Sequence, residues 1–220
     1  YFSGTPKAIM ALGASFSALE VVPLVLIGYE AYHNYRLSGK KGWVSGYKWP
    51  IYCLIAVAFW NFLGAGIFGF IINPPIALYY MQGLNTTPLH GHTALFGVYG
   101  ILGIGLMLFV LKGLSRQNAW KDGLIGFAFW SINIGLMLMA LLSLLPMGML
   151  QAIASVNEGM WYARSAEFMQ QPLMETFRWL TAIGDTIFAI GTVALALFVV
   201  GLKFGWSYKK GQFDIHSDKK

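Results

Sequence analysis

The residues of this chain best suited to chemistry are His90 and His92, set in the run Asn85-Thr86-Thr87-Pro88-Leu89-His90-Gly91-His92. Neutral imidazole binds metals through one ring nitrogen and serves as an axial ligand of haem iron. Thr87 suits the cap of a helix that begins at Pro88, because proline's fixed φ matches the first helical position and its missing N–H would be unpaired there. Each residue advances an α-helix by about 100°, so residues two apart project about 200° from one another. One metal cannot take both rings. The spacing places one imidazole on each side of a helix, each reaching its own site, with Gly91 leaving space between. A mononuclear zinc site would prefer histidines four apart and thiolate or carboxylate partners, which this neighbourhood lacks. The pattern favours haem.

Glu20 and Arg164 are the other candidates. Glu20 lies in the first apolar run, where a carboxylate is costly, so it is expected to face the bundle interior and to be protonated, paired or hydrated. Ser17, three residues earlier, shares its face, and Pro23 loosens the backbone beside it. Arg164, in a polar connection, could reach a buried anion such as a haem propionate or stay solvated.

The elements that must position these residues are membrane helices. Of the 220 residues 57% are hydrophobic and 11% charged, far from a soluble domain. Apolar runs at about 8–32, 50–72, 88–111, 124–145 and 178–204 are each long enough to cross a bilayer. The fold class is therefore all-α, a polytopic helix bundle, with residues 1–206 as its five-span part and 207–220 as a tail. The single cysteine, Cys53, lies in an apolar run and reads as an inert core thiol. The net charge of +6 sits in short loops, where it orients the chain in the membrane, and no nucleic-acid partner is expected. Arg36, Lys40, Lys41 and Lys48 mark one loop as cytoplasmic, and Lys112, Arg116 and Lys121 mark another. Lys203, Lys209, Lys210, Lys219 and Lys220 place the C-terminus there too, and the uncharged stretch 73–87 belongs outside. Residue 1 is then external. The connection 147–177 is the longest, and its Trp161-Tyr162 pair suits a membrane interface. No signal peptide is visible in the opening Tyr1-Phe2-Ser3-Gly4-Thr5-Pro6, which lacks a charged start and apolar core, and the chain reads as part of something longer.

Small residues at Gly64, Ala65, Gly66 and Gly69 point to close helix packing, and Asn61 to an interhelical hydrogen bond. By angle, Gly97 falls on the His90 side of its helix, and Phe96 and Tyr99 on the His92 side.

Segment 73–100, together with Phe16-Ser17-Ala18-Leu19-Glu20 and Gly4-Thr5-Pro6, resembles the catalytic subunit of bacterial nitric oxide reductase, of the quinol-dependent single-chain type within the haem-copper oxidase superfamily. The resemblance extends over all five spans. It implies that His90 is the proximal ligand of a high-spin haem b and His92 an axial ligand of a low-spin haem b, and that Glu20 is a glutamate near the binuclear centre. The implied reaction reduces two nitric oxide molecules to nitrous oxide and water at the high-spin haem and a non-haem iron, in the cytoplasmic membrane, with electrons from quinol or cytochrome c. The family holds its non-haem iron with three histidines and a glutamate, whereas His33 and His216 lie at the opposite membrane edge and in the tail. The chain is accordingly expected to be the C-terminal part of the subunit. Its partners are then the remaining N-terminal part, which supplies the other ligands, and membrane lipid. Alternatives are a haem-copper oxygen reductase, in which an aromatic usually stands where Gly91 does, a non-catalytic membrane b-type cytochrome, and a haem-free transporter.

Overall fold

Buried backbone in lipid must satisfy its hydrogen bonds internally, so runs this apolar form helices. The computed structural model describes residues 4–38, 46–115 and 119–209. Helices α1 (Lys7–Leu19) and α2 (Val21–Ser38) make the first span; α3 (Lys48–Ile72) the second; α4 (Pro75–Met81) is short; α5 (Thr86–Leu114), α6 (Asp122–Asn157) and α8 (Pro172–Phe204) complete the set, with one turn, α7 (Ala166–Met169), before α8. Among the described residues there is no strand, only an isolated antiparallel bridge between Trp120 and Tyr208. The fold is an all-α bundle, and five helices among the described residues are long and apolar enough to cross a membrane. Lys40, Lys41, Arg116 and the tail from residue 210 lie outside the described residues.

The core lies where α3, α5, α6 and α8 meet, around Trp49, Cys53, Trp60, Ile125, Leu136 and Phe198. Glycines bring the α6 and α8 backbones into contact. A Cβ on Gly135 would stand 2.6 Å from the Phe188 nitrogen, one on Gly184 2.6 Å from the Met139 nitrogen, and one on Gly191 2.8 Å from the Ile132 nitrogen. Small residues of this kind replace the hydrophobic effect as the means of helix association in lipid. The first span is the most loosely held. Only Ala14 and Ala18 of α1 are buried, and α1 and α2 lean on the second half of α3 and on α4. α1 and α2 part at Glu20 because Pro23 has no N–H to give the Leu19 carbonyl.

Three helices widen into π-helical segments: α3 at Asn61–Phe68, α5 at His92–Gly100 and α6 at Met139–Leu144. The first two pack on each other, and the stretch Thr86–Gly91 of α5 touches both others. Such i→i+5 turns are rare and gather at functional sites. Two helices run past the apolar spans expected of them. The fourth helix runs on to Asn157 rather than stopping near residue 145, with the wide turns at Met139–Leu144 just ahead of Pro146, whose missing N–H they accommodate. The fifth begins at Pro172, ahead of the expected residue 178, with proline in its first turn. The connection between them shrinks accordingly.

Candidate functional site

The approach to the two histidines is more structured than a loop. After Asn73, α4 opens with Pro75 in its first turn and closes at Gln82, and Gly83 turns the chain with φ 71°. α5 then starts at Thr86, two residues earlier than expected, and Thr87 is not its cap: the Thr87 hydroxyl accepts the Gly83 N–H at 3.1 Å. A residue from α6 does the capping work. Gln151, 4% exposed, accepts the Asn85 backbone N–H at 2.9 Å and its side-chain amide at 2.8 Å through Oε1, and donates through Nε2 to the Ala163 carbonyl at 3.0 Å. Ser155, one turn on, donates to the Tyr80 carbonyl at 2.8 Å. Gly148 on the same helix admits the Thr86 backbone, since a Cβ there would lie 2.6 Å from the Thr86 nitrogen. Gln151 and Ser155 stand at i and i+4 in an apolar stretch, a spacing that marks a polar face. The sequence reading passed over them.

Both imidazoles are oriented by a carbonyl. His90 Nδ1 donates to the Gly64 oxygen of α3 at 2.8 Å, and His92 Nδ1 to the Pro88 oxygen of its own helix at 2.8 Å. A carbonyl only accepts, so Nδ1 carries a proton in each ring, and Nε2 is the nitrogen left to bind a metal, the arrangement in which metal-ligating histidines are held. Their surroundings differ. His90 is half-buried in the crevice with α3, where a Cβ on Gly69 would come 3.1 Å from its Cε1. His92 is exposed, in line with Leu95 and Tyr99, which are 66% and 69% exposed, on a face of α5 that no described residue covers. Gly91 between them has nothing within 4 Å of where its Cβ would be.

Gly64 explains the π-turn. Its carbonyl accepts the Gly69 N–H five residues on as well as the His90 ring, using both lone pairs, and its missing side chain lets α5 in. A Cβ there would sit 2.6 Å from the Thr93 carbonyl carbon. Gly64→Ala should therefore push α5 from α3 and destabilise the bundle by about 1–3 kcal/mol, the usual cost of overpacking. Gly91→Ala, which meets open space, should leave the unfolding midpoint in detergent unchanged. Equal midpoints for the two variants would contradict this account of the crossing.

The remaining residues fall as follows. Glu20 is exposed at the α1–α2 break, with Ser17 exposed beside it, and does not face the interior of these five helices. The buried stripe of the first span, through Ala14 and Ala18, is the one pressed on α3 and α4, and Glu20 is off it. Arg164 is not a solvated loop arginine: half-buried in a short turn, it donates to the Gln82 carbonyl and lies against Gly83, clamping the turn that leads into α5. The interhelical amide that stands out is Asn133 of α6, which accepts from the Trp60 indole at 2.8 Å, next to the Asn61 that the sequence favoured. Phe96 packs on Phe188 of α8, 4.7 Å between centroids, rather than beside His92, while Gly97 meets Trp60. Among the described residues no three of His, Cys, Asp and Glu gather as a metal site. The donor set thus suits one axial imidazole at each of two separate centres, which fits haem.

Comparison with known proteins agrees with this class of site. The cytochrome c and quinol oxidase polypeptide I family matches residues 1–187, and the chain belongs to that family, within the haem-copper oxidases. A nitric oxide reductase subunit of Stutzerimonas stutzeri is 27% identical over 204 residues, which is 88% of this chain and 40% of that protein. The chain therefore spans less than half the length of the curated relative it matches.

Proposed function

We propose that this chain is part of the catalytic subunit of a membrane nitric oxide reductase, in which two nitric oxide molecules, two electrons and two protons give nitrous oxide and water. The observation that supports it most is the pair of imidazoles two residues apart on α5, each with Nδ1 fixed by a carbonyl and Nε2 presented on a different side of the helix. In this reading His90 Nε2 is the proximal ligand of a high-spin haem b and His92 Nε2 an axial ligand of a low-spin haem b. Haem and non-haem iron, when bound, supply substrate binding and electron transfer. The chain's own part is to hold both imidazoles on one stretch of helix, so that the two centres keep a fixed short separation. Gln151 and Arg164 serve that end by tying the start of α5 to α6 and to the turn at Gln82. In the same reading Arg164 would also meet a haem propionate.

Glu20 belongs to the same proposal. A carboxylate on an uncovered face in the middle of an apolar span is too costly to meet lipid, so this face is one that further protein or a water-filled cavity covers. There Glu20 would pass protons to the reaction. The non-haem iron ligands and the quinol or cytochrome c site would come from further parts of the subunit. The name of the 27% relative favours the reductase, and the description of the matching family favours an oxygen reductase as second reading. Metal analysis and haem extraction on the intact complex decide between them: two b-type haems with one non-haem iron support the first, and copper the second.

Orientation follows from charge. Reporters fused after Lys41 and at Lys220 should read cytoplasmic, in the bacterial inner membrane, and one inserted after Gly159 external. Gly159 is chosen because α6 ends at Asn157 and the turn at Gly159, with φ 97°, can take an insertion without breaking a helix. A reversed signal at any of the three would overturn the arrangement.

A further inference from the structure

Away from the histidines, one cavity lies at the end of the bundle where α3 and α6 begin, and a second starts at Tyr52 and runs on along the same two helices. The first, of about 160 Å³, is lined by Lys48, Lys112 and Lys209 with Trp49, Trp120 and Asp122. It is built from four distant segments. The chain after α8 folds back so that the Lys209 N–H donates to the Ala119 carbonyl at 2.9 Å, next to the Trp120–Tyr208 bridge. Asp122 is the acid of the group: it accepts the Trp49 indole N–H at 2.7 Å and lies 3.6 Å from Lys48 Nζ. Three lysines against one aspartate leave the pocket cationic. The second cavity, of about 590 Å³, runs along the outer seam of α3 and α6 between Tyr52, Ile55, Phe59, Trp130, Ile134 and Met137 and is almost wholly apolar. Lys48 joins them: its Nζ stands 4.7 Å from the Trp49 ring centroid and 5.8 Å from that of Tyr52, the groove's first residue.

We propose that the two cavities form one binding site for an anionic phospholipid. The phosphate lies among Lys48, Lys112 and Lys209, flanked by the tryptophans at headgroup level, and an acyl chain lies in the α3–α6 groove. Basic pockets between transmembrane helices recognise anionic headgroups, and tryptophan is enriched at that depth. A groove of this volume falls in the range that encloses whole small ligands. Charge selects the headgroup; the apolar seam requires a tail, which a free phosphate does not have.

The test is native mass spectrometry of the intact full-length protein in detergent, supplemented with dioleoylphosphatidylglycerol or with dioleoylphosphatidylcholine. The expected result is retention of phosphatidylglycerol at least about tenfold above phosphatidylcholine, by electrostatic selection at the surface. Lys48→Gln combined with Lys112→Gln and Lys209→Gln should abolish that preference. Ile55→Trp, which fills the exposed groove and leaves the lysines, should lower retention of both lipids. Should the triple variant fail to fold, Lys209→Gln alone, outside the helices, should still reduce the preference severalfold. Equal retention of the two lipids by the unaltered protein, displacement by inorganic phosphate as effective as by lipid, or a cross-linked dimer joined through Ile134 would each overturn the proposal. None of these outcomes depends on haem content, so the test is separate from the reductase reading.

Discussion

Replacing His92 with alanine should remove mainly the low-spin haem signal of the intact enzyme, and replacing His90 mainly the high-spin one. Both expectations rest on the proposed ligation and on the different surroundings of the two rings. His90 is braced across the helix interface by the Gly64 oxygen, whereas His92 is braced by Pro88 within its own helix and stands on an uncovered face. Removing His92 leaves every α3–α5 contact in place, so loss should be confined to one centre. Removing His90 deprives the Gly64 carbonyl of a partner at a crossing where backbones touch, and its cost to stability should be about 1–3 kcal/mol larger than that of the His92 change. Reduced-minus-oxidised and carbon monoxide difference spectra, with pyridine haemochrome counts, measure the two centres separately. Two variants that each fold, and each lose both haems in equal measure, would end the assignment. So would a haem count in His92→Ala equal to that of the unaltered enzyme.

The bundle was legible in the sequence because lipid simplifies the physics. With no water to satisfy a backbone, length and hydropathy alone decide which segments are helices, and the five runs show it. What was not legible is what depends on contacts between helices. The apolar run ends the fourth span near residue 145, whereas the helix continues through Pro146 to Asn157 behind its π-turns, and such turns lie where helices are drawn together at Gly64 and at the glycines of the α6–α8 crossing. Thr87 reads as a cap until Gln151 arrives from 66 residues away to satisfy the amide of Asn85. The separation of the two histidines was readable because it depends only on the angular step of a helix. Phe96 escaped that same arithmetic because the stretch from His92 is π-helical, and the angular step is smaller there. Arg164 stayed open between burial and solvation for a related reason: burial of a loop arginine is set by what the loop packs on, here the Gln82-Gly83 turn, which no local pattern announces.

Glu20→Gln should leave both haem spectra near normal while lowering turnover by at least about tenfold, roughly 1.4 kcal/mol of barrier. The position motivates it. Glu20 marks the break between α1 and α2, where Pro23 frees the Leu19 carbonyl, and its side chain leaves the described bundle on the same side as Ser17. A free carbonyl, a hydroxyl and a carboxyl group on one uncovered side of a membrane span can bind water that lipid could not supply, and the proposed reaction consumes two protons. Glutamine keeps the length and the hydrogen bonds of the side chain but cannot carry a proton. A structural acid would behave otherwise: its loss would lower stability and yield while each assembled haem pair turned over at the normal rate. Steady-state nitric oxide consumption normalised to haem content separates the two cases. Glu20→Asp, which keeps the carboxyl on a shorter stem, should recover part of the lost rate if proton transfer is the role and none if side-chain length alone matters. Activity of Glu20→Gln within a factor of about two of the unaltered enzyme would remove Glu20 from the proton route and leave the Glu20 face as a surface on which other protein packs.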